Sequence, residues 1–227
     1  MPFRYLLLLV LLLPAAAAAT DTVSNPLAQA LSRAAPAANP KVLALATRAL
    51  ACVQRSMPAQ TLSVIDYSLP STTPRLWVFG LGPHPHLLFH ELVAHGRNSG
   101  DNLADRFSNQ PGSLMSSLGT FVTDGTYTGH NGYSLRLKGI DGTFNDQAES
   151  RAIVIHGAHY VSEAFARSQG RLGRSWGCPA VRAGVAHKLI DAIAAHSVVF
   201  AYYPDPRWLQ GSRVLGDCGG NEVLSSR

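Results

Sequence analysis

A histidine and a cysteine lie in a segment whose residue types are typical of nucleophilic catalysis. His156 follows the apolar run 152–155 and precedes Gly157, and Cys178 lies 22 residues further along in a glycine-rich turn. A thiol becomes a strong nucleophile when a neighbouring imidazole takes its proton, or when the two groups rest as thiolate and imidazolium. The pair therefore predicts an acyl transfer with Cys178 as nucleophile and His156 as base.

The residues around the cysteine predict a tight turn that supports this chemistry. Gly177 permits a sharp bend, and we expect its N–H and that of Cys178 to face a developing oxyanion. Ser175 is expected to support the turn or the base through its hydroxyl. No carboxylate stands at an obvious spacing from His156, so a backbone carbonyl, such as that of Gly157, is the expected partner of its second nitrogen. Gly177 and Gly157 are the candidate oxyanion and turn residues.

Other side chains near this segment are candidates for binding a substrate. Each has an ordinary alternative, because aromatic residues on strands usually belong to a core, isolated histidines usually pack or lie at the surface, and arginines are often only solvated. Arg174 and Arg171 precede residues 175–178, the turn around the candidate nucleophile, which we call the nucleophile turn, and they suit a substrate carboxylate. The candidate substrate-binding residues are Tyr160, His159, Arg174, Trp176, His95 and Tyr133.

Four histidines, His84, His86, His90 and His95, raise the alternative of a zinc site because their spacings resemble those of ligand sets. His84 and His86 lie in a turn that contains proline, and His90 lies on a predicted strand. No convergent set of His, Asp and Glu residues accompanies them. We therefore predict no metal and no other cofactor.

The elements that position these residues are predicted to be mainly β. Asn39 and Pro40 are typical of a helix start, and a shorter helical stretch precedes them from residue 26 to about 35. A third helix is predicted at 183–195, where apolar residues recur at helical spacing. The polar stretch 98–117 is predicted to be a long ordered loop that forms a wall or lid of the cleft. Predicted strands lie at 62–67, 76–81, 87–94, 119–123, 133–137, 152–155 and 198–203.

The first nineteen residues are typical of a secretory signal. A positive start, a short apolar block and three alanines at 17–19 predict export and cleavage, and no second long apolar run follows. The predicted organisation is a signal peptide at 1–19, a helical extension at 20–58, a catalytic domain at 59–205 and a C-terminal tail at 206–227. We expect a soluble mature chain in the periplasm or envelope of a bacterium, without stable membrane insertion.

The net charge and the cysteine count narrow the function further. The charge of +5 arises from scattered cations, which fits an acidic envelope polymer or a solvated surface but predicts no nucleic-acid partner. Three cysteines in an exported chain cannot all pair within it. Cys52 and Cys218 are able to pair and leave Cys178 free, although the sequence does not settle the pairing.

The ordered motifs resemble the L,D-transpeptidase catalytic domain, the YkuD-type domain of murein-modifying enzymes, over about residues 60 to 203. His-Gly followed by Ser-x-Gly-Cys carries the resemblance, and the branch with Ser-Trp-Gly-Cys-Pro-Ala-Val fits best. The supporting motifs are Val93-Ala-His95-Gly96, Phe107-Ser-Asn109, Ser116-Ser-Leu-Gly119, Tyr127-Thr-Gly129, Gly132-Tyr133-Ser134 and Ala152-Ile-Val-Ile-His156-Gly157.

The resemblance implies a β-sandwich-like fold and an enzyme that acts on peptidoglycan stem peptides without a cofactor. Cys178 would attack the third residue of a tetrapeptide stem and release D-Ala, with His156 as base and Ser175 as the motif serine. An amine would resolve the thioester to give a 3→3 crosslink, or water would give carboxypeptidase action. Family members often carry Arg two positions after the cysteine, where this chain has Ala180. Arg182, Arg174 and Arg171 are the possible substitutes.

Three other functions are alternatives at this stage. The first is an L,D-carboxypeptidase alone. The second is a cysteine endopeptidase of the cell wall, against which the order of His156 before Cys178 argues, because papain-like wall hydrolases place the cysteine first. The third is a non-catalytic wall-binding module, against which the intact motifs argue. The sequence tells neither the acceptor nor the oligomeric state.

Overall fold

Two proline-containing helices precede the strands in the computed structural model, which describes residues 25–194, 196–216 and 218. Helix α1 (Pro26–Ala34) begins where the Asn25 side chain accepts from the Ala28 amide, and α2 (Pro40–Val53) begins at Asn39. The predicted helical pair is confirmed. The predicted signal peptide lies outside the described residues, and none of the helices within them is long and apolar enough to cross a membrane.

The strands form one sheet whose two ends meet. The strand order is β3-β2-β1-β9-β5-β6-β7-β8-β4, and only Leu92 separates the two edge strands β3 and β4 in the sequence, so the sheet curves back on itself. The mainly β class is thus confirmed. The strands are β1 (Thr61–Asp66), β2 (Leu76–Gly80), β3 (His86–Glu91), β4 (Val93–Ala94), β5 (Gly119–Gly129), β6 (Gly132–Gly139), β7 (Val154–Ala158), β8 (Ala180–Arg182) and β9 (Ser197–Tyr202).

Helix α4 (Ala183–Ile193) follows β8 directly and packs on one face of β7. Gly157 permits this close packing, since a methyl group built on it would lie 2.8 Å from the Ala186 side chain. The predicted helix near the C-terminus is therefore confirmed. On the opposite face of β7, a smaller apolar cluster that includes Ala158 and Ala180 packs against α3 (Glu163–Gln169).

The segment after β9 begins with a helix that docks on the domain. Helix α5 (Pro206–Gly211) buries Trp208 completely, and the indole Nε1 donates to the Asp141 carboxylate at 3.0 Å. Ser212 Oγ donates to the same carboxylate at 2.7 Å. Residues 206–212, which we expected to begin a C-terminal tail, therefore complete the core of the domain.

A disulfide between Cys52 and Cys218 joins α2 to the C-terminal segment, with the two Cα atoms 5.4 Å apart. Cys178 is the free cysteine of the described residues. Because the bridge closes a separation of 166 residues, it restricts the unfolded chain strongly.

Removal of this bridge is expected to destabilise the domain. In the double variant Cys52→Ala and Cys218→Ala, the free energy of unfolding should fall by about 2–5 kcal/mol. Urea unfolding followed by circular dichroism measures the change. Cys178→Ala is the matched control and should change stability by less than about 1 kcal/mol. Equal stability of the double variant and the control would contradict the expectation.

Candidate active site

The nucleophile turn lies beside the predicted base because β7 and β8 pair in parallel. In this register His156 pairs with Ala180, so Cys178 precedes the strand partner of His156 by two residues. The amide of Val154 donates to Cys178 Sγ at 3.5 Å. The strand pairing therefore places the turn of Cys178 beside the strand that carries His156.

The His156 ring is held in one tautomer by the backbone. Its Nδ1 lies 3.0 Å from the Gly157 carbonyl oxygen, and because a carbonyl only accepts, Nδ1 must carry the proton. Nε2 is then the unprotonated nitrogen, which is the form that a general base requires. Burial lowers the pKa of His156, which favours the neutral ring. The bond to Gly157 is the one expected from the sequence.

Ser175 shapes the turn that carries Cys178. Its Oγ donates to the Cys178 carbonyl at 2.6 Å and accepts from the Gly177 amide at 3.1 Å. Gly177 adopts φ +129°, a conformation that favours glycine. The expectation that the Gly177 N–H faces an oxyanion is wrong, because this N–H is used inside the turn.

The Cys178 thiol is half-buried and has local hydrogen-bond partners. Besides the Val154 amide, it contacts the Ala152 carbonyl oxygen at 3.6 Å, and no hydrogen bond to the imidazole occurs within the described residues. Burial raises the pKa of Cys178, while the Val154 N–H and the Arg151 charge oppose this shift. A raised thiol pKa and a lowered imidazole pKa both favour the uncharged pair over thiolate and imidazolium.

The predicted loop at 98–117 forms a wall against the nucleophile turn. Ser116 Oγ donates to the Gly177 carbonyl at 3.0 Å and accepts from the Gly96 amide at 3.0 Å. The Ser116 amide donates in turn to Ser99 Oγ at 2.9 Å. The loop therefore has a fixed position relative to the nucleophile turn.

Arg151 is a functional candidate that sequence reasoning missed. Its Nη1 donates to the Ser108 carbonyl at 2.7 Å and to Ser117 Oγ at 2.5 Å. Its Nη2 donates to the Met115 carbonyl at 2.6 Å and to Ser113 Oγ at 3.3 Å. The available signal was a charged residue directly before a buried apolar strand.

The three arginines considered as substitutes for the family arginine are engaged elsewhere. Arg182 forms a bidentate ion pair with Glu91, with both distances at 2.7 Å. Arg174 pairs with Asp101 at 2.8 Å and also donates to two loop carbonyls. Arg171 donates to a neighbouring carbonyl at 2.9 Å. Arg174, a predicted substrate-binding residue, thus holds the loop in this structure.

The expectation that His95 binds substrate is wrong, because the side chain is only 1% exposed. Arg75 Nη2 donates to its Nδ1 at 2.7 Å, so its Nε2–H donates to the Gly100 carbonyl at 3.3 Å. Burial, with the adjacent Arg75 charge, lowers the pKa of His95 to about 4. His95 is a neutral internal link between a strand and the long loop.

Tyr133 lies on the sheet face opposite the one that carries His156. Its neighbour Ser134 pairs with His156, so those two side chains share one face of the sheet and Tyr133 points to the other. There its ring stacks on His187 at 4.2 Å and its hydroxyl donates to Asp191 at 2.8 Å, both on α4. The structure therefore places Tyr133 against α4 and apart from His156, and no observation supports its predicted role in substrate binding.

Three predicted substrate-binding residues remain at the surface near the turn. Trp176 is 73% exposed, an unusual state for an indole, and directly precedes Gly177. His159 is exposed, and Tyr160 is half-buried against Gly173. Burial raises the pKa of Tyr160 to about 12, with a further contribution from Cys178.

The described residues include no group of three or more His, Cys, Asp or Glu side chains able to hold a metal ion. Two of the four histidines considered for zinc have packing partners instead. His90 stacks on Trp77 with ring centroids 5.0 Å apart, and His95 has the internal partners given above.

The family model for the L,D-transpeptidase catalytic domain, YkuD_2, matches residues 34–202. No curated protein matches the chain.

Several solved structures resemble this chain at low identity. An L,D-transpeptidase from Mycobacterium smegmatis is 14% identical, with a TM-score of 0.40 and coverage of 64% of this chain and 59% of that chain. The helical cell shape determining protein Pgp2 from Campylobacter jejuni is 13% identical, with a TM-score of 0.41 and coverage of 68% and 53%. An L,D-transpeptidase from Xylanimonas cellulosilytica is 15% identical, with a TM-score of 0.35 and coverage of 76% and 77%. The chain spans a little over half the length of the first two.

Loss of the Ser175 hydroxyl should disrupt the nucleophile turn. In Ser175→Ala the Gly177 amide loses its acceptor, so we expect alkylation of Cys178 by iodoacetamide to slow about tenfold and stability to fall by about 1–3 kcal/mol. Ser175→Thr keeps the hydroxyl and is the matched control. An alkylation rate in Ser175→Ala equal to that of the unmodified chain would show that the turn does not depend on this side chain.

The protonation state of the resting pair gives a second prediction. Because the thiol pKa is raised and the imidazole pKa is lowered, alkylation of Cys178 should increase with pH to a midpoint above that of an unhindered cysteine peptide. His156→Gln should leave that midpoint nearly unchanged. A midpoint below pH 7 that rises in His156→Gln would instead indicate a resting ion pair.

Proposed function

The chain belongs to the L,D-transpeptidase catalytic-domain family, and from that premise we propose that it is a cysteine acyltransferase that modifies peptidoglycan. The observation that carries the proposal is the tautomer of His156. Its Nδ1 proton is committed to the Gly157 carbonyl, so Nε2 is available as base on the strand that runs beside the nucleophile turn of Cys178.

In the proposed acylation, Cys178 Sγ attacks the carbonyl carbon of the third residue of a tetrapeptide stem. As the C–S bond forms, the thiol proton passes to His156 Nε2, which suits a pair that rests uncharged. The tetrahedral intermediate then breaks its C–N bond. The imidazolium gives its proton to the leaving amine, terminal D-Ala departs, and a thioester remains on Cys178.

In the proposed second half, an acceptor attacks the thioester carbonyl. An amine from a neighbouring stem gives up a proton to His156 as its C–N bond forms, and the C–S bond breaks to restore the thiol. The product is a 3→3 crosslink, whereas water as acceptor gives a shortened stem. No cofactor takes part in either half.

The oxyanion of both intermediates needs donors, and the turn restricts the choice. Because Ser175 Oγ holds the Gly177 N–H, the Cys178 amide is the backbone donor proposed for this role. Ser175 acts as the turn serine through its bond to the Cys178 carbonyl. Gly157 serves by orienting the base.

The substrate side of the proposal rests on the exposed residues around the turn. Trp176 offers an open aromatic face to a stem peptide or a sugar, and the Tyr160 hydroxyl, neutral at physiological pH, is a donor near the thiol. His159 lies at the mouth of the same surface. We propose the same location as the sequence implies, in the envelope of a bacterium after export, with a carbapenem as a covalent inhibitor of Cys178.

The test is turnover of purified tetrapeptide muropeptides, with products identified by mass. The unmodified chain should release D-Ala and form crosslinked dimers or shortened stems. Cys178→Ala and His156→Gln should each reduce turnover by at least about a thousandfold, because both groups take part in bond formation. His130→Gln, an exposed histidine in the β5–β6 turn, is the matched control and should retain turnover.

Two outcomes would refute the proposal. One is turnover that persists in Cys178→Ala. The other is the absence of both D-Ala release and a carbapenem adduct in a folded chain whose Cys178 reacts with iodoacetamide.

A further inference from the structure

Arg151 lies where the 108–117 loop, the start of β7 and the nucleophile turn meet. A methyl group built on Gly177 would lie 3.2 Å from Arg151 Nη2 and 2.8 Å from the Met115 carbonyl oxygen. The guanidinium therefore packs directly against the residue that precedes Cys178. The same Nη2 donates to Met115, so one group contacts both the loop and the turn.

The surroundings of Arg151 leave its charge without a carboxylate. Its four hydrogen bonds run to two carbonyls and two hydroxyls, and no described carboxylate forms an ion pair with it. Burial lowers the pKa of Arg151, and the ionisable group that opposes this shift is Cys178. A half-buried cation held only by dipoles beside a thiol is costly unless a negative charge forms nearby.

The other ionisable groups around Cys178 do not supply a positive charge. Tyr67, after β1, and Tyr160, after β7, both interact electrostatically with the thiol, and burial raises the pKa of each phenol. They are therefore neutral at physiological pH. His156 on β7 has a lowered pKa and is also neutral in the resting pair.

The position of the family arginine is closed to a cation in this fold. Ala180 is 0% exposed and packs with Ala94 and Ala158 in the small apolar cluster. An arginine there would bury its charge against apolar groups. Arg171, Arg174 and Arg182 have partners elsewhere, whereas Arg151 Nη2 lies against Gly177 in the turn.

We propose that Arg151 is a positioning residue for the nucleophile: it fixes the 108–117 loop against the turn and stabilises the thiolate of Cys178 as it forms. The inference rests on the proposed function only in taking Cys178 as the reacting thiol. Nη2 of Arg151 acts across Gly177, and it need not touch the substrate.

The test is the pH dependence of Cys178 alkylation by iodoacetamide in the full chain with its disulfide intact. Arg151→Gln removes the charge and should raise the alkylation midpoint by about 0.5–1 pH unit, since an adjacent opposite charge lowers a thiol pKa. Arg151→Lys keeps the charge and should stay within about 0.3 unit of the unmodified chain. If Arg151 had only a structural role, its substitution would change the alkylation rate or the stability without moving the midpoint.

Ser117→Ala is the matched control for the loop contact. It removes one acceptor of Nη1 and leaves the charge, so it should leave the midpoint unchanged while lowering the melting temperature. The proposal is overturned if Arg151→Gln has the midpoint of the unmodified chain, or if Arg151→Lys raises it as much as Arg151→Gln. Where Arg151→Gln does not fold, Arg151→Met takes its place, because it also removes the charge and should raise the midpoint by the same amount; an unchanged midpoint in Arg151→Met overturns the proposal.

Alkylation requires no wall substrate, so this test is independent of the proposed function. A chain that fails to turn over stem peptides but shows the expected midpoints refutes the proposed function and leaves the role of Arg151 intact. Normal turnover, together with an Arg151→Gln midpoint equal to that of the unmodified chain, supports the proposed function and refutes the role of Arg151.

Discussion

The parallel pairing of β7 with β8 is the constraint on which the site depends. The ladder has three residue pairs, and a slip of one residue would turn His156 to the face covered by α4. A second contact prevents the slip, because the stretch 93–97 holds both ends of the nucleophile turn. Ala94 pairs with Ala180 after the turn, and Gly96 pairs with Ser175 before it. Both ends of the turn therefore pair with the same short segment.

The long loop at 98–117 has a defined position because its buried polar groups need hydrogen-bond partners. A segment of about 20 residues without secondary structure exposes many backbone donors and acceptors, and each must find a partner. Arg151 takes the carbonyls of Ser108 and Met115, while Ser116 bridges the Gly177 carbonyl and the Gly96 amide. Because Arg151 and Gly177 lie 34 or more residues from the loop residues that they bind, part of the order of the loop depends on contacts between distant segments.

The difference between local signals and contacts of distant residues explains how much of the fold the sequence could predict. Alternating and apolar runs indicated β1, β6 and β7, and helical spacing indicated α2 and α4, since these signals are local. Strand β8 was missed because its three residues, Ala180–Arg182, lie within the glycine- and proline-containing motif itself. The shorter helices α3 and α5 were missed for a similar reason: seven and six residues are too few for a clear periodicity.

The residues of the candidate site also fall into those that local motifs predict and those that depend on distant contacts. Short sequence motifs identified Cys178, His156 and the Gly157 carbonyl, because all three residues lie within two neighbouring motifs. Burial of His95 depends on Arg75, which lies 20 residues earlier on another strand. The face on which Tyr133 lies depends on the register of β6 against β7, and a lone sequence does not contain that register.

The uncharged resting state of Cys178 and His156 suits the proposed location of the chain in the bacterial envelope, where thiols meet oxidants. A permanently ionised thiolate reacts readily with oxidants and with other disulfides. In the proposed envelope location, a free Cys178 that stays protonated between turnovers would therefore be protected. The barrier to ionisation must then be lowered when the substrate binds. Each pKa unit corresponds to about 1.4 kcal/mol, so a fixed cation and a pre-oriented base are effects of the right size. In the roles proposed for them, Arg151 meets this need through its contact with Gly177, and His156 meets it from the strand that runs beside the turn.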